Sequence, residues 1–553
     1  MGPAPKVLMR SDERMVPCAT AVVGASVGEM PPSHRADPND RLSTSAAVAE
    51  ETTKLLHHSS HYLAGLVAKL ALGFISLPIF TRVFSVADYG LIDLAQKILL
   101  FFTAVSKMGL QNSALRFFDG KAFASQSHSK GRYYSTMFVG SLSTAAVVAI
   151  FILAASRYFL KSIIDTPLSA LMNFVCLLLV LRAIESMFWS FMRAEERTKA
   201  YNFSSVALKA STILTVCLLL PWTGRTPRTF FLGTTAVELA FVAIMSFLLF
   251  RRGTLNPARF DPALFKTALV FGGPLVVYEA ASSFLDSGDR LLVRHFLGPE
   301  ALGLYSVAYG LSAQGNELLI LPLNLAVFPI YMRLWKSKGR EATAAFLSTC
   351  LDLYLAAAAG VWAIAAVTSK DALVLLASTK YASAAHLIPL VAAGLLIYTT
   401  HVFLCAGLLI YKRTGTMACL LLFSSALNIG LNWLLLPRMG LMAAAIATLV
   451  GYVLCILLLG LASVRMLPVD IRFRALGRYL LAAGIVSYAV SRIELTSPAR
   501  NVAAKSALVA VSYCVLLYMM DPRVRSASAR GLRSLTRRTH LPSVARETIA
   551  PPS

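Results

Sequence analysis

Between residues 93 and 111 of this 553-residue chain, Asp93, Lys97, Ala104, Lys107 and Gln111 recur at steps of four, seven, three and four. On a helix that spacing puts them on one face, as a polar stripe along an otherwise apolar segment. A second set is Glu279, Ser282 or Ser283, Asp286 and Arg290, with Asp289 adjacent, on a segment that starts after Gly272-Gly273-Pro274. A third is Arg182, Glu185, Trp189 and Arg193, and Lys69 lies in phase with Gly73 and Ser76. Such cations can hold an anion, and such carboxylates can bind H⁺ or Na⁺. A charge at the centre of a bilayer costs roughly 2.5 to 3.5 kcal/mol even on lenient insertion scales, so these groups should face a wet path or one another. Plain pairing is the competing expectation: Asp93 with Lys97, Arg182 with Glu185, and an acid of the second set with Arg290, while Lys69 and Lys107 snorkel to a surface.

The elements that carry these residues are membrane-spanning helices. Of the chain, 57% is hydrophobic and 14% charged, against about a quarter charged in soluble domains, and the mean hydropathy is +0.65. Apolar stretches of about 20 residues recur from Tyr62 to Met519, each long enough to cross about 30 Å of hydrocarbon. Runs such as LLAAGIVSYAV do not alternate as the strands of a β-barrel would. The expected fold is an all-α integral membrane protein with about fourteen spans, among them 92–114, 168–190, 229–250, 264–286, 302–330, 478–492 and 502–519.

The net charge of +24 is not a nucleic-acid signature, because the basic residues sit mainly in alternate loops. Arg193, Arg197 and Lys199 fall in one of these and Lys412 and Arg413 in another. The positive-inside rule then puts both termini in the cytoplasm. Residues 1–58 read as a disordered cytoplasmic tail, with His57, His58 and His61 a solvated entry segment and not a metal site. Residues 521–553 read as a basic tail near anionic lipid. The eight cysteines form no CxxC pair and read as small buried apolar residues.

The chain also repeats itself. RVFSVADYGLIDLAQ from Arg82 and RHFLGPEALGLYSVAY from Arg294 share Arg-x-Phe, an acid and Gly-Leu, and LLLP occurs at 218–221 and again at 434–437. The two pairs have nearly the same offset. It spans six helices, which returns the chain to the same side, so the repeat is parallel, about an axis along the membrane normal. The organisation expected is an amino-terminal lobe over 59–250, a carboxy-terminal lobe over 251–466 with a cavity between them, and two additional spans over 467–520.

On these repeated segments the chain resembles a known family. LPIFTRVFSVADYGLIDL with SKMGLQNSALRFF, GDRLLVRHFLGPEALGLYSVAYGL at 288–311, and SSALNIGLNWLLLPRMGLMAAAIATLVGYVL at 424–454 are similar to signatures of polysaccharide-biosynthesis membrane proteins. These are the oligosaccharide flippases of the multidrug/oligosaccharidyl-lipid/polysaccharide (MOP) exporter superfamily. The resemblance implies a bacterial inner-membrane protein that moves a polyprenyl-pyrophosphate-linked oligosaccharide to the outer leaflet by rocking of two lobes, without covalent chemistry or a cofactor. Its partners would be membrane lipid, the lipid-linked oligosaccharide and other polysaccharide assembly proteins.

On that reading Arg290, Arg182, Lys97, Lys69 and Lys107 are cavity cations for pyrophosphate, with Arg290 the foremost. Glu279, Asp286, Asp289, Asp93 and Glu185 are candidates for H⁺ or Na⁺ coupling. Trp189 suits stacking on sugar or interfacial anchoring, and Tyr305, Tyr309, Ser312 and Asn316 give a face suited to carbohydrate hydroxyls or to packing. The rival readings are a multidrug exporter or lipid II flippase of the same superfamily and, from another class, a membrane polysaccharide polymerase or ligase. The short outer loops speak against the last, and no GxxxxGK[ST] supplies ATP drive.

Overall fold

A bilayer offers no water to backbone amides, so spanning segments must bond their own. The computed structural model, which describes residues 65–118, 127–158, 166–521 and 525, meets this with helices alone: no strand occurs among the described residues. Eleven helices among them are long and apolar enough to cross a membrane. The expected all-α, multi-pass architecture is what the protein has; the tails, with the His57 cluster, lie outside the described residues, save Asp521 and Arg525.

The amino-terminal helices are α1 (Gly65–Val83), α2 (Val86–Ser106), the short α3 (Leu110–Arg116), α4 (Ser127–Tyr158), α5 (Met172–Ala194), α6 (Thr198–Thr223) and α7 (Pro227–Arg251). There follow α8 (Pro262–Ser287), the long α9 (Asp289–Leu376), a span over Thr379–Leu404, α10 (Thr414–Met439), α11 (Leu441–Val464), α12 (Phe473–Ser491) and α13 (Pro498–Met520). The helical run from Pro262 to Leu376 has 115 residues and at 1.5 Å per residue would be roughly 170 Å long if straight, several bilayers thick. It is not straight: Gly298 (φ 85°) and Gly339 (φ 76°) break α9 into three pieces.

Local chemistry sets the ends. Ser85 caps α2 by accepting from the Asp88 amide at 3.1 Å, and Asp261 caps α8 by accepting from the Ala263 and Leu264 amides, with Pro262 preset for the first turn. The sequence pattern places the second span at 92–114; the structure starts it six residues earlier and interrupts it. Met108 (φ 48°) and Gly109 (φ 70°) adopt left-handed backbone between α2 and α3. The break belongs to a backbone crossing, where Gly109 abuts Gly272 of α8 so closely that no Cβ fits on either.

The two segments that carry LLLP end alike. Helices α6 and α10 both have 26 residues, carry Pro221 and Pro437 at equivalent places near their ends, and stop at Gly224 (φ 79°) and Gly440 (φ 62°). Ser85 and Gly298 likewise mark equivalent breaks, just before the two Gly-Leu pairs.

One large apolar cluster joins α2, α4, α5, α7, α8, the start of α9, α10 and α11. Helices α12 and α13 stand apart from it. They form a separate cluster with Ala359 and Ala363 in the last piece of α9, and charged ties fix them there: Lys505 and Asn501 to Asp371 at 3.3 and 3.1 Å, and Arg472 to Asp352 at 3.1 Å.

Candidate functional site

The two polar stripes meet. As α2 advances from Asp93 to Lys97, the facing chain recedes from Arg290 to Asp286, four residues on each side, so the antiparallel helices pair rung by rung. Arg290 Nε donates to Asp93 Oδ2 at 2.8 Å, Lys97 Nζ to Asp286 Oδ2 at 3.1 Å, and Gln111 Nε2 to Glu279 Oε1 at 2.7 Å. Lys107 Nζ stands 3.7 Å from Glu279 Oε2.

Aromatic and hydroxyl groups brace this ladder. Tyr309 donates to Asp286 at 2.5 Å and shares a 2.7 Å hydrogen bond with Tyr452. Tyr305 donates to Asp289, which also accepts from Thr448 at 3.2 Å. The Arg290 guanidinium lies 4.3 Å from the centroid of the Tyr309 ring, touches Asp289 at 3.4 Å and donates to the Asp286 carbonyl at 2.9 Å. It is 1% exposed. A charge buried that deeply needs partners on every side.

Several expectations change accordingly. Asp93 and Lys97 do not pair with each other; each reaches across to α8 or α9. Arg182 pairs not with Glu185 but with Glu238 of α7 at 3.0 Å, and donates to Gln96 at 3.2 Å; Glu185 instead accepts from Trp189 Nε1 at 2.7 Å. Arg290, the foremost anion contact on sequence grounds, is closed off here by Asp93 and Asp289. Tyr305 and Tyr309 serve the carboxylates of the ladder. Lys69 packs 5.0 Å from the centroid of the Tyr201 ring.

Beside the ladder lies a cavity of about 530 Å³. Lys107, Gln111 and Glu279 border it, so it shares one end of the ladder, while Arg290 and Asp289 at the other end are buried. Its walls add Arg193, Trp189 and Tyr201 from α5 and α6, Tyr278 from α8, Tyr331 from α9, and His401. Among the described residues, Arg193 donates to neutral oxygens, the Trp189 carbonyl at 3.4 Å and the Ser190 hydroxyl at 3.2 Å. The Trp189 indole is held by Glu185 and by stacking on Phe241, ring centroids 5.2 Å apart. Two cations set among aromatic rings can hold a phosphate and stack on sugar faces. Among the described residues no cluster of His, Cys, Asp and Glu is placed to hold a metal.

Sequence reasoning passed over Glu238, Gln96, Thr448, Tyr452 and His401. An acid in the middle of an apolar span is itself a signal, and Glu238 carried it. Thr448 and Tyr452 carry none, because their partners lie more than a hundred residues away in sequence.

The helical bundle has the fold of MOP-superfamily proteins. The structure is similar to that of the lipid II flippase MurJ in an inward closed conformation, with a TM-score of 0.60 at 12% identity, covering 83% of this chain and 98% of that one. It is similar also to an inward-facing multidrug resistance MATE family transporter, with a TM-score of 0.56 at 14% identity, covering 76% and 99%. Within that class, the chain belongs to the polysaccharide biosynthesis protein family, which it matches over residues 57–335. Two related proteins come from Haemophilus influenzae. A protein of the Lsg locus is 25% identical over 292 residues, 52% of this chain and 68% of that one. An uncharacterized membrane protein is 22% identical over 282 residues, 50% of this chain and 64% of its own length, so this chain spans less than two thirds of it.

Proposed function

We propose that this protein flips a polyprenyl-pyrophosphate-linked oligosaccharide from the inner to the outer leaflet of a bacterial inner membrane, for surface polysaccharide synthesis, as a transporter and not an enzyme. The observation that carries the reading is the cavity wall that sets Lys107 and Arg193 beside Trp189, Tyr201, Tyr278 and Tyr331. Such a wall suits a substrate with an anionic linkage and sugar rings. Family membership supplies the polysaccharide context.

In this reading the lobes are 59–250 and 251–466, with 467–520 appended. The spans number fourteen: ten of the eleven apolar helices, three pieces of the run 262–376, and α12. The cavity lies toward the ends of α5 and α10 that adjoin the basic loops of Arg197 and Lys412. By the positive-inside rule that is the cytoplasmic half, with both termini on the same side. The enclosed end of the ladder then closes the outer side, and rocking of the lobes exchanges the two. Pyrophosphate contacts fall to Lys107 and Arg193, which are open to the cavity, and Glu279 is the carboxylate placed to take up H⁺ or Na⁺.

Deletion of the gene tests the reading. Lipid-linked oligosaccharide should accumulate on the cytoplasmic side; build-up of unpolymerised repeats on the outer leaflet would favour a polymerase or ligase instead.

A further inference from the structure

The cavity borders the end of the ladder at Glu279, and the ion pair there is the longest of those between the two stripes. Lys107 and Glu279 are 3.7 Å apart, whereas Lys97 to Asp286 is 3.1 Å and Arg290 to Asp93 2.8 Å, and the Arg290 guanidinium is shut from water. A long, partly exposed ion pair contributes little. A multiply charged phosphate brought to Lys107 competes with Glu279 on favourable terms, because each phosphate oxygen makes a charge-assisted hydrogen bond.

We infer that the anion of the substrate itself opens the ladder, by taking Lys107 from Glu279 at the cavity end. The inference rests on the flippase reading and adds to it what sets the lobes free. The ladder holds three cations, Lys97, Lys107 and Arg290, against four carboxyl groups, those of Asp93, Glu279, Asp286 and Asp289. Once phosphate occupies Lys107, two cations remain for the same four acids. Glu279 and Asp286 are seven residues apart and so share a face of α8, and both then draw on Lys97. Loss of Lys97 from Asp286 leaves the Asp93–Arg290 rung as the one ion pair across the interface, beside the neutral Gln111–Glu279 hydrogen bond. An empty cavity leaves every rung made, so the far side opens only behind a bound anion.

The test is hydrogen exchange of the full chain in lipid nanodiscs, read on peptides covering 86–97 and 289–309, with ligand binding measured in parallel. Undecaprenyl pyrophosphate should raise exchange in both peptides and undecaprenol should not; inorganic pyrophosphate giving the same rise would also support the anion as trigger. Glu279→Gln removes the competitor and one acid together. That variant should bind undecaprenyl pyrophosphate about fivefold more tightly, the scale of one partly screened ion pair, yet lose the rise in exchange. Binding by the unmodified protein without any change in exchange overturns this inference and leaves the flippase reading standing. An equal rise with undecaprenol, or an undiminished rise in Glu279→Gln, overturns it too. If the unmodified protein binds no polyprenyl pyrophosphate at all, the flippase reading fails first and the inference with it.

Discussion

Gly90 and Gly303, the glycines of the two Gly-Leu pairs, press against each other: a Cβ on Gly90 would lie 2.6 Å from the Gly303 amide nitrogen, and one on Gly303 would enter the Val86 carbonyl. Only glycine allows backbones so close. Gly303→Ala should therefore destabilise the protein strongly, while Gly310→Ala, with nothing near its Cβ, should be close to neutral. Thermal unfolding in detergent compares the two, and equal melting temperatures would rule out a tight crossing.

The ladder makes Arg290 a structural charge. Arg290→Ala leaves Asp93 and Asp289 facing each other across a buried gap, and removing one partner of such a pair costs about 3–5 kcal/mol. Low yield and a depressed melting temperature are expected. The exchange Asp93→Arg with Arg290→Asp should recover part of the loss; no recovery by the pair relative to the single changes would show that the two side chains do not interact.

Lys107 and Arg193 should behave in the opposite way. Both line the cavity, and neither is held by a short ion pair, so the double change Lys107→Gln with Arg193→Gln should alter stability by less than about 1 kcal/mol. Surface glycan should nonetheless be lost. Normal glycan on cells carrying the doubly changed protein at native levels would remove both residues from the substrate path.

Outside the spans, Glu195 ties the loop between α5 and α6 to the start of α4. It accepts from Tyr134, from Lys130 at 3.0 Å and from Arg197 at 2.9 Å. Burial pushes its carboxyl up, but the Tyr134 and Lys130 hydrogen bonds and the charges of Lys130 and Arg197 outweigh that and hold it below its ordinary value. A carboxylate depressed by folding stabilises in full above its unfolded pKa, about 4.3, and that contribution disappears as pH falls through the lower folded value. Melting temperature followed downward from about pH 5 should drop less steeply in Glu195→Gln than in the unmodified protein, and at pH 7 the variant should be less stable by about 1–2 kcal/mol. Parallel acid limbs would refute this.

Much of this was legible before any coordinates, because the signals are local. Helical periodicity reveals the stripes on α2 and α8, and the repeated LLLP falls at the ends of α6 and α10. Which stripe faces which is not local. The i,i+4 spacing of Asp93 and Lys97 suggests a pair on one helix, yet each side chain finds a partner almost 200 residues away, since two stripes of mixed sign neutralise each other best in antiparallel register. The same holds for Arg182, whose sequence neighbour Glu185 is engaged by Trp189 while Glu238 approaches from α7. The kink at Met108–Gly109 escaped notice because its cause, Gly272, belongs to another helix.

Helices α12 and α13 are tied to the last piece of α9 at both ends, by Asp371 with Lys505 at one and by Asp352 with Arg472 at the other. If the lobes rock, this pair can only travel with the piece that carries it, as an outrigger travels with its hull. Every stroke then sweeps a wider belt of lipid than the cavity-forming helices alone would. In the proposed cycle, membrane thickness and fluidity should accordingly bear on how readily that piece moves.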